Sequence, residues 1–214
     1  MKKILLLSFG LLAIFILGCT RPEGPAQPID LIDGVSGNYL DYTVSGQGTS
    51  TNIQLHLHNK SNEHWEVHVK AGTKLEPAGG SVQNMVITEE VEVEIHRHAD
   101  ADTLIPAACL DINKDTPIPD NKDWTIKSSA ALAGFILAAR SKIVDYIANH
   151  PDDKVDPDSF LQALLWKSRG ATEQDMIDCT VHYQGTPPDE ARENEDYWYP
   201  ILEGMVADLP DITD

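Results

Sequence analysis

The sequence is poor in positive charge, aromatic side chains and cysteine. Its 214 residues hold 16 lysines and arginines against 34 aspartates and glutamates, so the formal net charge is −18. A surface this acidic repels the phosphates of nucleic acid, and we therefore expect no DNA or RNA partner. Only 7% of the residues are aromatic, but the hydrophobic fraction of 42% is sufficient for a packed core.

Motifs of common enzyme classes are also missing. The sequence has no Ser-His-Asp arrangement, no glycine-rich phosphate loop and no His-Glu-x-x-His zinc motif. Its acidic residues are numerous, but no pair is marked by spacing as a catalytic acid and base. We therefore expect the protein not to be an enzyme and to require no cofactor.

The N-terminal residues have the pattern of an export signal. Lys2 and Lys3 precede an uncharged apolar run from position 4 to 17, and Gly18 stands directly before Cys19. A positive start, a short apolar run and a small residue before the cut are typical of a secretory signal. The run is shorter than the roughly 20 apolar residues that span a bilayer. An ordinary signal peptide or an uncleaved anchor is the alternative reading.

The cysteine in this position resembles the signal of bacterial lipoproteins. The resemblance covers residues 1–19 and implies cleavage before Cys19 and acyl chains, palmitate among them, attached to that residue. The expected location is the cell envelope, with a membrane as partner through the lipid on Cys19. Thr20 follows where an aspartate would resemble an inner-membrane retention signal, so the outer membrane is favoured in a cell with two membranes. Loss of two lysines with the signal takes the net charge from −18 to −20.

The remaining chain divides by composition. We expect residues 1–18 to be the signal peptide and 19–30 to be the lipidated cysteine with a flexible tether rich in proline and glycine. Residues 31–127 form a β-rich domain in this division. Residues 128–214 form a helical subdomain with an acidic C-terminal segment, to which we assign no secondary structure.

Period-two alternation predicts strands in the first half. Residues 52–58, 64–70, 82–87 and 91–97 alternate apolar and polar side chains, and clusters of turn-forming residues separate them. Short, evenly spaced strands are typical of an antiparallel β-sandwich or barrel.

Helix signals dominate the second half. Residues 128–149 are rich in alanine, leucine and isoleucine, and serines stand at their start. Asp156 and Pro157 have the order expected of a cap and a first helical position. Thr172 and Asp175 predict a capping box for a third helix. The predicted fold class is α+β, with the helical subdomain after the strands.

Two cysteines remain if Cys19 is acylated. Outside the cytoplasm, Cys109 and Cys179 are expected either to form a disulfide or to stay as two free buried thiols.

Residues 104–170 suggest a different pairing. Cys109-Leu110-Asp111 closes the strand region. After two helical segments comes Gln162, which is followed directly by an aliphatic stretch and Trp166. This pattern resembles the thioester domain of bacterial surface adhesins, although Ala108 stands where that family usually has a large residue. The resemblance implies an internal thioester between Cys109 and Gln162.

The implied thioester would make the chain a surface-binding protein. A thiolate is the nucleophile and an amide carbon the acceptor, and the activated acyl group then couples to an amine on a partner, such as a surface protein. Gln83 has similar apolar neighbours and is a rival to Gln162. The helix with Trp166 is alternatively an ordinary core helix, and the chain is then a non-catalytic structural or interaction lipoprotein.

Histidines alternate with apolar residues on the first two predicted strands. If these strands form a hairpin with Leu57 opposite Trp65, then His58 lies opposite His64 and the outward patch consists of His56, His58, His64, Glu66 and His68. Imidazole and carboxylate are ligands for zinc or copper. The alternatives are a metal site at this patch and a solvated polar face without metal.

Overall fold

The computed structural model describes residues 24–48, 51–119 and 123–212. The predicted signal peptide and Cys19 lie outside the described residues, as does the first part of the expected tether. No helix in the described ranges has the length and apolarity needed to cross a bilayer.

Nine strands in these ranges are followed by most of the helical residues. The strands are β1 (Gln27–Asp30), β2 (Leu40–Gly46), β3 (Asn52–Asn59), β4 (Trp65–Val69), β5 (Thr73–Pro77), β6 (Met85–Ile87), β7 (Val91–Ile95), β8 (Asp100–Cys109) and β9 (Trp124–Ser128). The helices are α1 (Leu31–Ser36), α2 (Ala130–Asn149), α3 (Pro157–Ser168), α4 (Glu173–Gln184) and α5 (Pro188–Val206).

The strands form two sheets that share one core. The smaller sheet has the order β1-β4-β7, and the larger has the order β2-β3-β8-β6-β5-β9. Val67 and Val93 of the smaller sheet belong to the same buried cluster as Leu55 and Ile105 of the larger. The predicted α+β class with a strand-rich sandwich is confirmed. One pairing differs from the expected antiparallel arrangement, because β1 runs parallel to β4.

The predicted hairpin between β3 and β4 is wrong. β3 pairs with β2 and β8, whereas β4 pairs with β1 and β7, so the two strands belong to different sheets. Alternation in sequence reports which side chains face the core, but both strands satisfy it equally well with any neighbour. His56 and His58 therefore do not lie opposite His64 and the rest of the predicted patch.

Two further boundaries differ from the expectation. The last four residues of the expected tether form β1, and Asp30 caps α1 by accepting a hydrogen bond from the Ile32 N–H at 2.9 Å. The unassigned acidic segment forms α5, which continues through Pro200.

Side-chain caps start the helices at the predicted places. Ser129 accepts a hydrogen bond from the Leu132 N–H to begin α2, and Asp156 does the same for α3 from the Ser159 N–H. Thr172 and Asp175 form the capping box of α4. The apolar faces of these helices make a second buried cluster that includes Val86, Ala108 and Leu110 of the larger sheet.

α2 and α3 are both seated against strands. α3 contacts the end of β8. Gly72, just before β5, has a φ of +84°, and a Cβ there would lie 2.5 Å from the main chain of Ala133 in α2. The close approach excludes any larger side chain at this position. The larger sheet thus carries α2 and α3 on its outer side.

Candidate functional site

Cys109 and Gln162 meet where β8 ends and α3 crosses it. Cys109 is the last residue of β8 and is fully buried, and Gln162 is 4% exposed in the middle of α3. We call this place the junction, formed by Cys109, Gln162 and their apolar neighbours. The residue pair predicted from the resemblance is therefore brought together.

The Gln162 side chain pairs with the main chain of Cys109. The Cys109 N–H donates to Gln162 Oε1 at 2.7 Å, and Gln162 Nε2 donates to the Cys109 carbonyl oxygen at 2.5 Å. β3 accompanies β8 only as far as Pro106, so in the described part of the chain no strand lies on that side of β8 at Cys109. The amide of Gln162 takes the place of a neighbouring strand, and buried main-chain groups require such a partner.

The surroundings of this pair are apolar. Ala108 and Leu110 flank Cys109 on β8, and Leu161 and Leu165 flank Gln162 on α3, all at most 4% exposed. Burial, with smaller contributions from the charges of Cys179 and Asp111, raises the pKa of the Cys109 thiol to about 12. The thiol is therefore protonated at neutral pH and shielded from water.

Cys179, on α4, is the other described cysteine. Both Cys109 and Cys179 are free thiols in the structure. Burial, and then the charge of Glu195, raises the pKa of Cys179 to about 11. Neither sulfur has the depressed pKa of an exposed reactive thiolate.

Gln83, the rival glutamine, is buried at 2% exposure just before β6. Its Oε1 has no hydrogen-bond partner among the described residues. Its neighbour β6 pairs with β8 through Met85 and Cys109, on the edge of β8 opposite to Gln162. The hydrogen bonds to Cys109 thus come from Gln162.

A cavity of about 420 Å³ opens beside α3 and is walled by α3, α4 and α5. Ala163 and Trp166, which line it, lie one and four residues after Gln162. Trp166 Nε1 and Glu195 Oε2 are buried there without a hydrogen-bond partner in the described part of the chain. Burial, and then the charge of Glu173, raises the pKa of Glu195 to about 7. Sequence reasoning missed Glu195, because an acidic helix offers no signal that singles out one carboxyl group.

The five residues of the predicted histidine patch divide between the two sheets. On β3, His56 Nδ1 lies 3.0 Å from Asp102 and His58 Nδ1 lies 2.7 Å from Asp100, both across the pairing with β8. His64, Glu66 and His68 lie on or beside β4 in the smaller sheet, where His68 Nε2 is 3.2 Å from Glu66. The structure does not bring the five predicted ligands together.

Comparison with known proteins adds no relative. No protein-family model, no curated protein and no solved structure matches the chain.

Proposed function

We propose that the chain is a lipid-anchored envelope protein in which Cys109 and Gln162 form an internal thioester that couples to an amine on a partner. The observation that carries the proposal is the pairing of the Gln162 amide with both main-chain groups of Cys109, at 2.7 and 2.5 Å. Two hydrogen bonds hold the Gln162 amide beside the main chain of Cys109, the residue that carries the proposed nucleophile.

Formation of the thioester is a substitution at the Gln162 carbon. Cys109 Sγ attacks Cδ, the new S–C bond replaces the C–N bond, and the amide nitrogen leaves as ammonia. The thiol proton and the two amide hydrogens account for the three hydrogens of the ammonia, so no oxidant or other reactant is needed. A thiol with a pKa of about 12 must lose its proton as it attacks, and the departing nitrogen is the acceptor.

The two hydrogen bonds support this step differently. The Cys109 N–H points at Oε1, the atom on which negative charge develops when the carbon becomes tetrahedral. A main-chain donor in that place acts as an oxyanion hole. The Cys109 carbonyl accepts from Nε2 and so fixes the orientation of the leaving nitrogen.

Burial suits the product as well as the reaction. A thioester is an activated acyl group, and the enclosing side chains of Leu161 and Leu165 exclude water from it. A thiol with a raised pKa is also a poor leaving group, which slows hydrolysis until a stronger nucleophile arrives.

An amine would complete the reaction by attacking the same carbon. The C–S bond breaks, an amide forms between Gln162 and the partner, and the amine's surplus proton returns to the sulfur of Cys109. The cavity beside Ala163 and Trp166 offers a lysine a path to α3, and Glu195 on its wall has a carboxyl with a pKa of about 7. Such a group accepts the proton that an ammonium must lose before it attacks.

Intact mass of a chain beginning at Thr20 tests the thioester, since this chain contains every described element. We expect a mass lower by one ammonia in the wild type, and its replacement by one added methylamine after incubation with that amine. Gln162→Glu, which keeps the side-chain shape but has no ammonia to release, should show the full mass.

Gln83→Ala is the matched control, because it removes the other buried glutamine and should retain the deficit. A deficit that persists in Gln162→Glu would overturn the proposal, as would a full wild-type mass. Loss of two hydrogens that a reductant reverses would identify a Cys109–Cys179 disulfide and favour a non-catalytic interaction lipoprotein.

The anchor is tested separately in cells. We expect labelled palmitate to join the wild type and not Cys19→Ser, and we expect the variant to leave the membrane fraction. Equal labelling of both chains would contradict lipidation at Cys19 and would not affect the thioester.

A further inference from the structure

The outward side chains of the smaller sheet form a ladder of histidines and glutamates. We call it the outer face: His64, Glu66, His68, Glu90, Glu92, Glu94 and His96. β4 and β7 pair in a register that sets Glu66 opposite Glu94 and His68 opposite Glu92. In the same sheet, Val67 and Val69 point inward to the core. The outer face is therefore polar, and it is rich in residues whose side chains can bind a metal ion.

Three of these residues converge at one end of the ladder. One ligand atom from each of His64, Glu94 and His96 lies within 4.8 Å of the others, and the two imidazole rings stack with centroids 4.5 Å apart. Ligand atoms around a tetrahedral zinc ion lie about 3.3 Å apart, given bond lengths near 2.0 Å. Small rotations of the exposed Glu94 and His96 side chains reach that spacing.

His64 is already oriented as a metal ligand. Its Nδ1 lies 3.1 Å from the Gly24 carbonyl oxygen, which only accepts hydrogen bonds, so the ring proton belongs on Nδ1. The lone pair of Nε2 is then available. In metal-bound histidines, the other ring nitrogen commonly donates a hydrogen bond to a main-chain carbonyl, which fixes the orientation of the ring.

Among the described residues, the His64 Nε2 atom has no hydrogen-bond partner, although the ring is enclosed. The His64 side chain is only 10% exposed, and Nε2 lies 2.9 Å from Glu94 Oε1. That contact lacks hydrogen-bond alignment, so Nε2 remains unsatisfied among the described residues. Two lone-pair atoms that are close but not aimed at each other are arranged as ligands of a common cation.

The charge pattern of the face favours a cation too. Glu66 and Glu94 are directly opposed across β4 and β7, and like charges in this position are destabilising. A second group, Glu66, His68 and Glu92, has ligand atoms within the same distance of one another. A divalent ion would offset the repulsion within the ladder.

From this geometry we propose that His64 Nε2, Glu94 and His96 bind a divalent first-row transition ion on the outer face. Two imidazoles and one carboxylate favour zinc, nickel or copper over calcium, which prefers oxygen ligands. Three protein ligands leave one position of a tetrahedral ion for water or for a residue of another molecule. The site is independent of the proposed thioester and lies on the other sheet.

Calorimetric titration of the full chain in detergent with ZnCl₂ tests the site. We expect His96→Ala and Glu94→Gln each to weaken zinc binding at least about tenfold, which is the low end of the effect of disturbing even the supporting residues of a metal site. His56→Ala and His58→Ala are matched controls, since these histidines are also exposed beside carboxylates on β3. Their zinc affinity should equal that of the wild type.

Copper(II) electron paramagnetic resonance supplies a second measurement. We expect splitting from two imidazole nitrogens in the wild type and from one in His96→Ala. His96 is an exposed side chain, so an unchanged circular dichroism spectrum will show that the variant is folded. Equal zinc affinity in the wild type, His96→Ala and Glu94→Gln would overturn the proposal, and so would calcium binding as tight as zinc binding.

Discussion

At the junction, one polar pair is enclosed by apolar side chains, whereas on the outer face seven polar side chains stand together and all but His64 reach solvent. While its amide is intact, Gln162 has one arrangement open to it, because both main-chain groups of Cys109 depend on that amide. On the outer face, His68 lies within 3.4 Å of Glu90 and 3.2 Å of Glu66, and either contact can be replaced by water. Burial therefore makes the stability of the junction depend on one residue, whereas on the exposed outer face each residue contributes little.

The largest expected effect comes from removing the amide at the junction. Gln162→Ala leaves a buried N–H and a buried carbonyl without partners, each worth about 1 to 3 kcal/mol, so we expect a loss of about 3 kcal/mol in the free energy of unfolding. Urea denaturation measures it. Gln174→Ala, on the exposed side of α4, is the matched control and should change stability by less than about 0.5 kcal/mol.

Cys109→Ala sharpens this prediction. The variant removes the sulfur, and with it any thioester, but keeps both main-chain groups that Gln162 binds. We expect it to be more stable than Gln162→Ala by at least about 1 kcal/mol. Equal losses in the two variants would mean that the amide contributes to stability only through the sulfur.

An intermediate effect is expected at Glu195, whose burial is between the two extremes. Its pKa is raised to about 7 in the folded chain against an ordinary value of 4.5. The neutral carboxyl therefore stabilises the fold fully below about pH 4.5, and this contribution is lost as the pH rises through 7. Allowing for partial solvent access, we expect Glu195→Gln to gain about 1 to 2 kcal/mol relative to the wild type between pH 5 and pH 8.

The measurement is the difference in unfolding free energy between Glu195→Gln and the wild type across that pH range. Glu193→Gln, exposed on the same helix, is the control for the loss of one carboxyl group from α5. A flat difference for Glu195→Gln would show that water already solvates the ionised carboxylate.

The smallest expected effect belongs to the outer face. Glu66→Gln removes a like-charge opposition with Glu94, and we expect a gain of about 0.5 kcal/mol in a buffer with a chelator. Glu92→Gln is the control, because Glu92 lies opposite His68 and not opposite another carboxylate, and it should show no such gain. Urea midpoints at equal m-values measure both. A loss of more than about 1 kcal/mol in the free energy of unfolding of Glu66→Gln would contradict the expectation that Glu66 and Glu94 repel each other and that the exposed outer face contributes little to stability.

Local signals were sufficient for four strands and three helix starts but not for the partners of the strands. The caps at Ser129, Asp156 and Thr172 predicted three helix starts because a cap is a contact between residues two or three apart. Strand pairing joins distant residues, so the alternation of β3 and β4 was recognised while their assignment to different sheets was not. Asp100 and Asp102 show the same limit, since they pair at the start of β8 with histidines of β3 and no local pattern predicts that pairing.

The candidate sites were predictable to different degrees. Cys109 and Gln162 were found through a motif, but the two hydrogen bonds depend on the point where β3 leaves β8, which no local pattern reports. His64 was noticed for its neighbours on β4, whereas Glu94 and His96 became its partners only through the β4–β7 register. Residues that meet across a sheet require the topology.

The parallel pairing of β1 with β4 bears on how the domain withstands tension. β1 is the first described strand, and its four residue pairs run from Gln27 to Asp30 alongside β4. Pulling on the chain ahead of Gln27 along the strand axis would strain the hydrogen bonds of all four pairs together in shear. If a bound partner pulls the chain from that end, the hydrogen bonds between β1 and β4 would therefore resist the force before the helices are disturbed.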